Sequence, residues 1–291
     1  MRSFFLLILF FQLYQLKSTP IIADGAKPVV VSDEFKFTEG PAVDEEGNIY
    51  FTDQPNNRIM KYSIDGKLSI FLQPAGRSNG LYFRGDKLIA CADENNEMWE
   101  IDVKTKEKKV IINNYKGKRL NAPNDVWVAP NGGLYFSDPF YKRKWWKHSV
   151  SEQDTEAVYY LAPDAKEIIR VAEDFVRPNG LIGSADGKTL YIADIKDEKT
   201  YKYSIKANGT LSERELFCEM GSDGMTLDEK GNLYITGKGV RIFDKAGKKI
   251  GHIPIKGWTA NVCFGGNDMQ TLFITATNSL VTLRMNVKGI R

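Results

Sequence analysis

Histidine is almost missing: His148 and His252 are the two in 291 residues. That scarcity argues against a Ser-His-Asp triad and against a histidine-rich zinc centre, since both are built on imidazole. Cysteine is scarce too. Cys91, Cys218 and Cys263 are odd in number, widely spaced and set among apolar residues such as LIACAD and NVCFGG, so they read as buried strand residues, not as a disulfide framework or a thiol nucleophile. Charge of one sign is lacking as well. The chain has 40 basic and 37 acidic side chains, a net +3, which gives no general pull toward nucleic acid or a membrane surface. After the first residues there is no long apolar run. MRSFFLLILFFQLYQL carries Arg2 and then about ten mostly apolar residues from Phe4 to Leu13, half of the roughly twenty that a spanning helix needs. It reads as a signal peptide over residues 1–20, cleaved between 18 and 23, so the mature protein is expected to be exported, periplasmic or secreted, with no membrane anchor.

Helical spacing is also absent from Pro28 onward, and a repeat stands in its place. VDEEGNIYFTD around Tyr50, YFRGDKLIACAD around Leu88, VWVAPNGGLYFSD around Tyr135, IGSADGKTLYIAD around Tyr191, TLDEKGNLYITG around Tyr234 and VCFGGNDMQTLFITA around Phe273 are six hairpin-like units. Each pairs alternating apolar residues with a Gly, Asn or Asp turn. A recurrence of about 40 to 50 residues with only strands inside each unit predicts an all-β, six-bladed β-propeller of four-stranded blades, one domain over residues 28–291. KVIINN, AVYYLAP, YKYSI and VRIFD supply outer strands.

A hairpin sends both free ends to one edge of its sheet. The residues leading into the six first strands are Glu39, Asn79, Asn124, Asn179, Asp223 and Asn261; Asp53, Asp93, Asp138 and Asp194 follow second strands. Innermost strands line the central channel, so the six leading residues are expected near its mouth, each carrying an oxygen. A single Asn-Gly or Asp-Gly is an ordinary turn; six copies at one end, with Glu39 among them, point to a ligand. Crowded carboxylates need a counter-charge, and carboxylates mixed with amide oxygens suit a hard cation. Calcium is the expected ion, with magnesium, manganese and zinc the ions to test against it.

FTEGP at 37–41, APNDVWV at 122–128, GLYFSDP at 133–139, RPNGL at 177–181, DGMTLDEKGNLYITG at 223–237 and NVCFGG at 261–266 together resemble the gluconolactonase and regucalcin (senescence marker protein) family of six-bladed propellers. The resemblance runs from Val29 to Met285. It implies a metal held by Glu39, Asn124, Asn179 and Asp223, a lactone substrate, Asp223 as ligand and general base, and Asn124 as a second catalytic residue touching substrate. The chain departs from the animal regucalcin-like members at Ala122, where they place an arginine, so sugar contacts from that side chain are not carried over.

The longest insertion, PFYKRKWWKHSVSEQDTEA, leaves Asp138 on the metal rim. It is expected to act as a lid with aromatic faces for a ring and a cation for a carboxylate. Asn79, Asp138, Trp145, Trp146 and His148 are the candidate substrate contacts, and His148 could carry a proton near neutral pH. Lysine and arginine interleaved with aromatics can also bind single-stranded nucleic acid, but the patch is isolated beside an acidic rim, so no nucleic-acid partner is expected. A monomer hydrolysing a sugar lactone is the leading reading. A phosphotriesterase on the same metal site and a non-enzymatic binding propeller are the alternatives. A strictosidine-synthase-like condensation lacks an identifiable catalytic glutamate.

Overall fold

The computed structural model describes residues 20–290; the leader read over residues 1–20 falls almost wholly outside them. Each repeat folds as the two inner strands of a four-stranded antiparallel sheet, and six such sheets make a six-bladed β-propeller. In blade 1, Thr38–Val43, Ile49–Asp53, Arg58–Tyr62 and Leu68–Leu72 run from the channel outward. The four later blades of the same plan begin at Ser78–Arg84, Val126–Val128, Pro178–Gly183 and Met225–Leu227. All six aligned residues, from Tyr50 to Phe273, lie in second strands.

The sixth blade is assembled from both ends of the chain. Thr259–Gly265, Thr271–Ala276 and Ser279–Arg284 take Val29–Ser32 as their outermost strand, with Val30 opposite Val281. The backbone of Ile21 also accepts a hydrogen bond from Asn286 at 2.8 Å. Pairing the two ends of the chain in one blade closes the ring, which leaves only the short edges of the individual blades.

The core lies between blades. Tyr50, fully buried, meets Phe83 of the next blade edge to face at 5.1 Å, and Tyr234 meets Phe264 in the same way at 5.2 Å. The repeated aromatic is thus the wedge by which one blade buries its face on its neighbour, with an edge-to-face geometry contributing about 1 kcal/mol beyond area. Cys91, Cys218 and Cys263 are buried and unpaired, as strand residues. Among the described residues no helix is long and apolar enough to cross a membrane.

The acids after second strands have a structural task. Asp53 accepts the backbone N–H of Lys36 at 3.0 Å, Asp138 those of Asn121 and Ala122 at 2.9 Å each, and Asp194 those of Val176 and Arg177 at 2.6 and 2.9 Å. Each carboxylate pins the loop that feeds its own blade's innermost strand. Burial pushes the Asp138 carboxyl up to about 7, and its oxygens are committed to these amides, which sets it in the wall of the blade. Blade 2 departs from the pattern. There Asn57 Oδ1 accepts the N–H groups of Ala75 and Arg77 at 2.9 and 2.7 Å, leaving Asp93 for another role.

Candidate active site

Four of the six rim residues, Glu39, Asn79, Asn179 and Asn261, lie inside innermost strands, where the ladder slips by a β-bulge between Glu39 and Ala42, Ser78 and Leu81, Pro178 and Leu181, and Thr259 and Asn261. A bulge re-aims a side chain that a regular strand would point elsewhere. Asn124 and Asp223 lie two residues before the short strands of blades 3 and 5. The Asn-Gly and Asp-Gly pairs are therefore not simple turns.

Their glycines have a different cause. A Cβ at Gly40 would sit 2.1 Å from the Asn79 carbonyl oxygen, at Gly80 2.6 Å from that of Asn124, and at Gly180 2.4 Å from that of Asp223. Glu39, Asn79 and Asn179 are each followed by a glycine so that the next blade's rim residue can pack backbone to backbone against it, and Gly80 N–H donates to the Asn124 carbonyl at 2.7 Å across that contact. Gly180→Ala is expected to push Asp223 off its position. Overpacking of this kind costs about 1 to 3 kcal/mol, so the melting temperature should fall by several degrees and activity by more than the stability loss accounts for. A variant with unchanged thermal melting and turnover would show that the close approach is not required.

The side chains then divide. Asn179 Nδ2 donates to Asp223 Oδ1 and to the Tyr141 hydroxyl, both at 2.9 Å, while Asn179 Oδ1 is buried without a partner. Asn79 Oδ1 is buried and unpartnered too. Trp258 Nε1 donates to Asp223 Oδ2 at 2.7 Å, so both oxygens of that carboxylate are held. Glu39 Oε2 accepts its neighbour Gly40 N–H at 2.7 Å. Burial first, and then the nearby Asp223 charge, raise the Glu39 carboxyl well above its ordinary range. Asp223 is raised as well, chiefly by burial, with Trp258 and Asn179 pulling the other way. Asn261 Oδ1 is occupied by Val262 N–H at 2.8 Å. Below the rim, Asp125 is pushed up to about 7 by burial, despite accepting from Leu181 and Val126. Among the described residues, no three His, Cys, Asp or Glu side chains form a metal-binding group; the rim offers two carboxylates, Glu39 and Asp223, amid amide carbonyls.

Further down the axis, Ala42, Leu81, Ile182, Met225, Val262 and Phe264 help to line a mostly apolar cavity of about 520 Å³ that reaches Asn261 of the rim.

The insertion after Asp138 lies over blades 2 to 4. Tyr141 reaches Asn179. Arg143 Nε donates to Asp93 Oδ2 at 2.7 Å, and Trp146 Nε1 to the Asp93 carbonyl at 2.8 Å. Trp146 is buried, with His148 stacked on it at 4.7 Å; Arg143 and Trp146 anchor the insertion onto blade 2. Trp145 is half-buried between the guanidinium groups of Arg77 and Arg143.

Tyr141 and Trp258 are the contacts that residue-by-residue reading missed. Trp258 is 41% exposed although it is bonded to a buried-site carboxylate, and the available signal was its place three residues before Asn261, on the rim side of blade 6. Trp258→Phe keeps a ring but removes the N–H that stabilises ionised Asp223. The acid limb of the pH–rate profile is expected to move to higher pH, with kcat lower by about tenfold at neutral pH; an unmoved profile would make Trp258 a bystander.

The family model described as SMP-30/Gluconolactonase/LRE-like region matches residues 37–278. A gluconolactonase of Zymomonas mobilis is 32% identical over 92% of this chain and 84% of its own. The gluconolactonase structure from Xanthomonas campestris superposes with a TM-score of 0.85 at 29% identity, covering 91% of each chain. Regucalcin of Agrobacterium tumefaciens, a calcium-binding protein, shares the fold with a TM-score of 0.74 at 21% identity over 89% of this chain and 94% of that one. The protein with this bulged, glycine-packed ring of oxygen-bearing side chains belongs to the SMP-30/gluconolactonase/LRE-like family.

Proposed function

We propose that the protein is a lactonase of the gluconolactonase type, a hydrolase opening a sugar lactone at a divalent-ion site formed by Glu39, Asn124, Asn179 and Asp223, with calcium as the ion. The observation that carries the reading is the conjunction of two carboxylates, buried Glu39 and half-buried Asp223, with a buried amide carbonyl that has no partner. The Asp223 charge disfavours ionisation of Glu39 in the bare protein, and Asn179 Oδ1 buried without a hydrogen bond costs about 1 to 3 kcal/mol. One hard cation relieves both penalties, and it needs no histidine or thiolate. The relatives named gluconolactonase support the substrate class.

When bound, the ion supplies positive charge to the oxyanion that develops on the lactone carbonyl and acidifies a neighbouring water. Asp223 takes the proton from that water as its oxygen bonds to the carbonyl carbon; the ring C–O bond then breaks, and the proton passes to the departing ring oxygen to give the open hydroxy acid. Trp258 and Asn179 fix the orientation of Asp223 for this transfer. Asn124 offers its amide to a substrate oxygen.

The test is a pH-indicator screen of δ- and γ-lactones and phosphotriesters on metal-stripped protein with calcium, magnesium, manganese or zinc added back. Calcium-dependent acid release from a sugar lactone is expected. Turnover of phosphotriesters alone, or of nothing with any ion, would reject the lactonase.

A further inference from the structure

A row of alternating guanidinium groups and aromatic rings lies beside the rim. The Arg177 guanidinium sits 4.7 Å from the Tyr141 ring centre and that of Arg143 5.2 Å from it; Arg143 is also 5.6 Å from the Trp145 ring, over which Arg77 lies at 4.6 Å. The row begins at the candidate metal set itself, because the Tyr141 hydroxyl is the partner of Asn179 Nδ2.

Its positive charge is only partly answered. Asp93 takes Arg143 Nε, a role open to it because Asn57 pins the loop that an acid pins in other blades. Arg177 has Glu156 no nearer than 3.7 Å, and Arg77 has Glu94 at the same distance, both too long for a hydrogen bond; Arg77 Nη1 donates to the uncharged Pro55 carbonyl at 3.0 Å, and the Nε atoms of Arg77 and Arg177 are buried without partners. From Phe140 to Val150 the insertion adds Lys142, Lys144 and Lys147 and no acid. Guanidinium groups stacked on aromatic faces keep their planar N–H forks open at the ring edge, where they match a carboxylate or phosphate bidentately. Flat rings beside them suit a sugar.

We propose that this row is an anion subsite, and that the lactone hydrolysed here carries a negatively charged group, carboxylate or phosphate, held by Arg177 with Arg143 and Arg77 while the lactone carbonyl lies at the rim. This rests on the lactonase reading above. A ring oriented by its charged end at Arg177 and by its carbonyl at the Asn179–Asp223 pair is bound at two points, which fixes which face meets the attacking water.

The experiment compares kcat/KM for three hexono-δ-lactones that differ only at C6: a neutral hydroxyl, a carboxylate and a phosphate. The calcium-loaded protein should prefer at least one charged substrate to the neutral one by about tenfold or more, and the carboxylate and phosphate arms identify which group is recognised. Raising the salt to about 0.5 M should shrink the preference, since exposed ion pairs are screened. Arg177→Gln should lower the charged-to-neutral ratio about tenfold or more, and Arg177→Lys should restore part of it. Arg177 makes no side-chain hydrogen bond closer than its 3.7 Å contact with Glu156, so a folded variant is expected, checked by its melting curve. Equal use of all three lactones, or an Arg177→Gln ratio unchanged from wild type, overturns the anion subsite alone. No turnover of any of them overturns the lactonase reading and this inference with it.

Discussion

Asp223→Ala is expected to reduce kcat by at least about a thousandfold and to weaken calcium binding in the same protein. Two separate losses combine. The carboxylate supplies one of only two negative charges among the four residues assigned to the ion, and it is the proposed base, held by Trp258 Nε1 at 2.7 Å and by Asn179 Nδ2 at 2.9 Å; general-base catalysis alone is commonly worth about a hundred to ten thousandfold. Asp223→Asn separates the two roles. It keeps an oxygen for the ion but cannot take a proton, so it should bind calcium more weakly than wild type yet better than the alanine variant, and remain inactive. Isothermal titration with calcium and single-turnover kinetics on the three proteins check this. An asparagine variant with near-normal kcat would move the base elsewhere, with Asp125 the neighbouring candidate.

Removing the ion should have the second largest effect. Exhaustive chelation is expected to abolish lactone turnover and to lower the melting temperature by about 5 to 10 °C. A ligand present at about a hundred times its Kd stabilises the fold by about 2.7 kcal/mol, and for a chain of this size each kcal/mol moves the midpoint by about 2 to 4 °C. Calcium should restore both. The effect has a pH sign. Burial raises Glu39 and Asp223 in the bare protein, so both must give up protons on binding, and apparent calcium affinity falls as pH falls. The same raised carboxyls bind more protons folded than unfolded, so the stability they contribute to the bare protein is present in acid and is lost as pH rises through their folded values. The metal-free melting temperature should therefore decline from mildly acidic to neutral pH more than the calcium-loaded one. Full activity after chelation, or parallel melting curves, would remove the ion from the mechanism.

The propeller was legible because its signal is local and repeated. A strand, a turn containing Gly, Asn or Asp and a second strand with an aromatic or, at Leu88, an aliphatic residue at a fixed place announce a blade wherever they occur, and each of the six marks a second strand. The rim residues were legible for the same reason: hairpin geometry alone sends their positions to one edge. What no local pattern encodes is what each side chain meets after the ring closes. Val29–Ser32 is an ordinary four-residue strand, and its partner Ser279–Arg284 lies at the other end of the chain. Asp93 and Asp138 follow second strands alike, yet one pins a loop within its blade while the other holds Arg143 of a different blade's insertion, a distinction set by Asn57 in yet another position. The glycines after Asn79, Asn179 and Asp223 read as turn residues, since the sequence shows the residue but not the neighbouring backbone or side chain that a Cβ would strike. Trp258 and Tyr141 join the rim from connecting segments, where no strand periodicity marks which way a side chain faces.

The most direct measurement is a crystal structure of the calcium-soaked protein with anomalous scattering used to place the ion. One peak is expected at the channel mouth, with oxygens of Glu39, Asn124, Asn179 and Asp223 about 2.3 to 2.6 Å from it. No peak at millimolar calcium, or a peak only in the lower channel beyond the reach of these four side chains, would contradict the assignment of the ring as a metal-centred lactonase site.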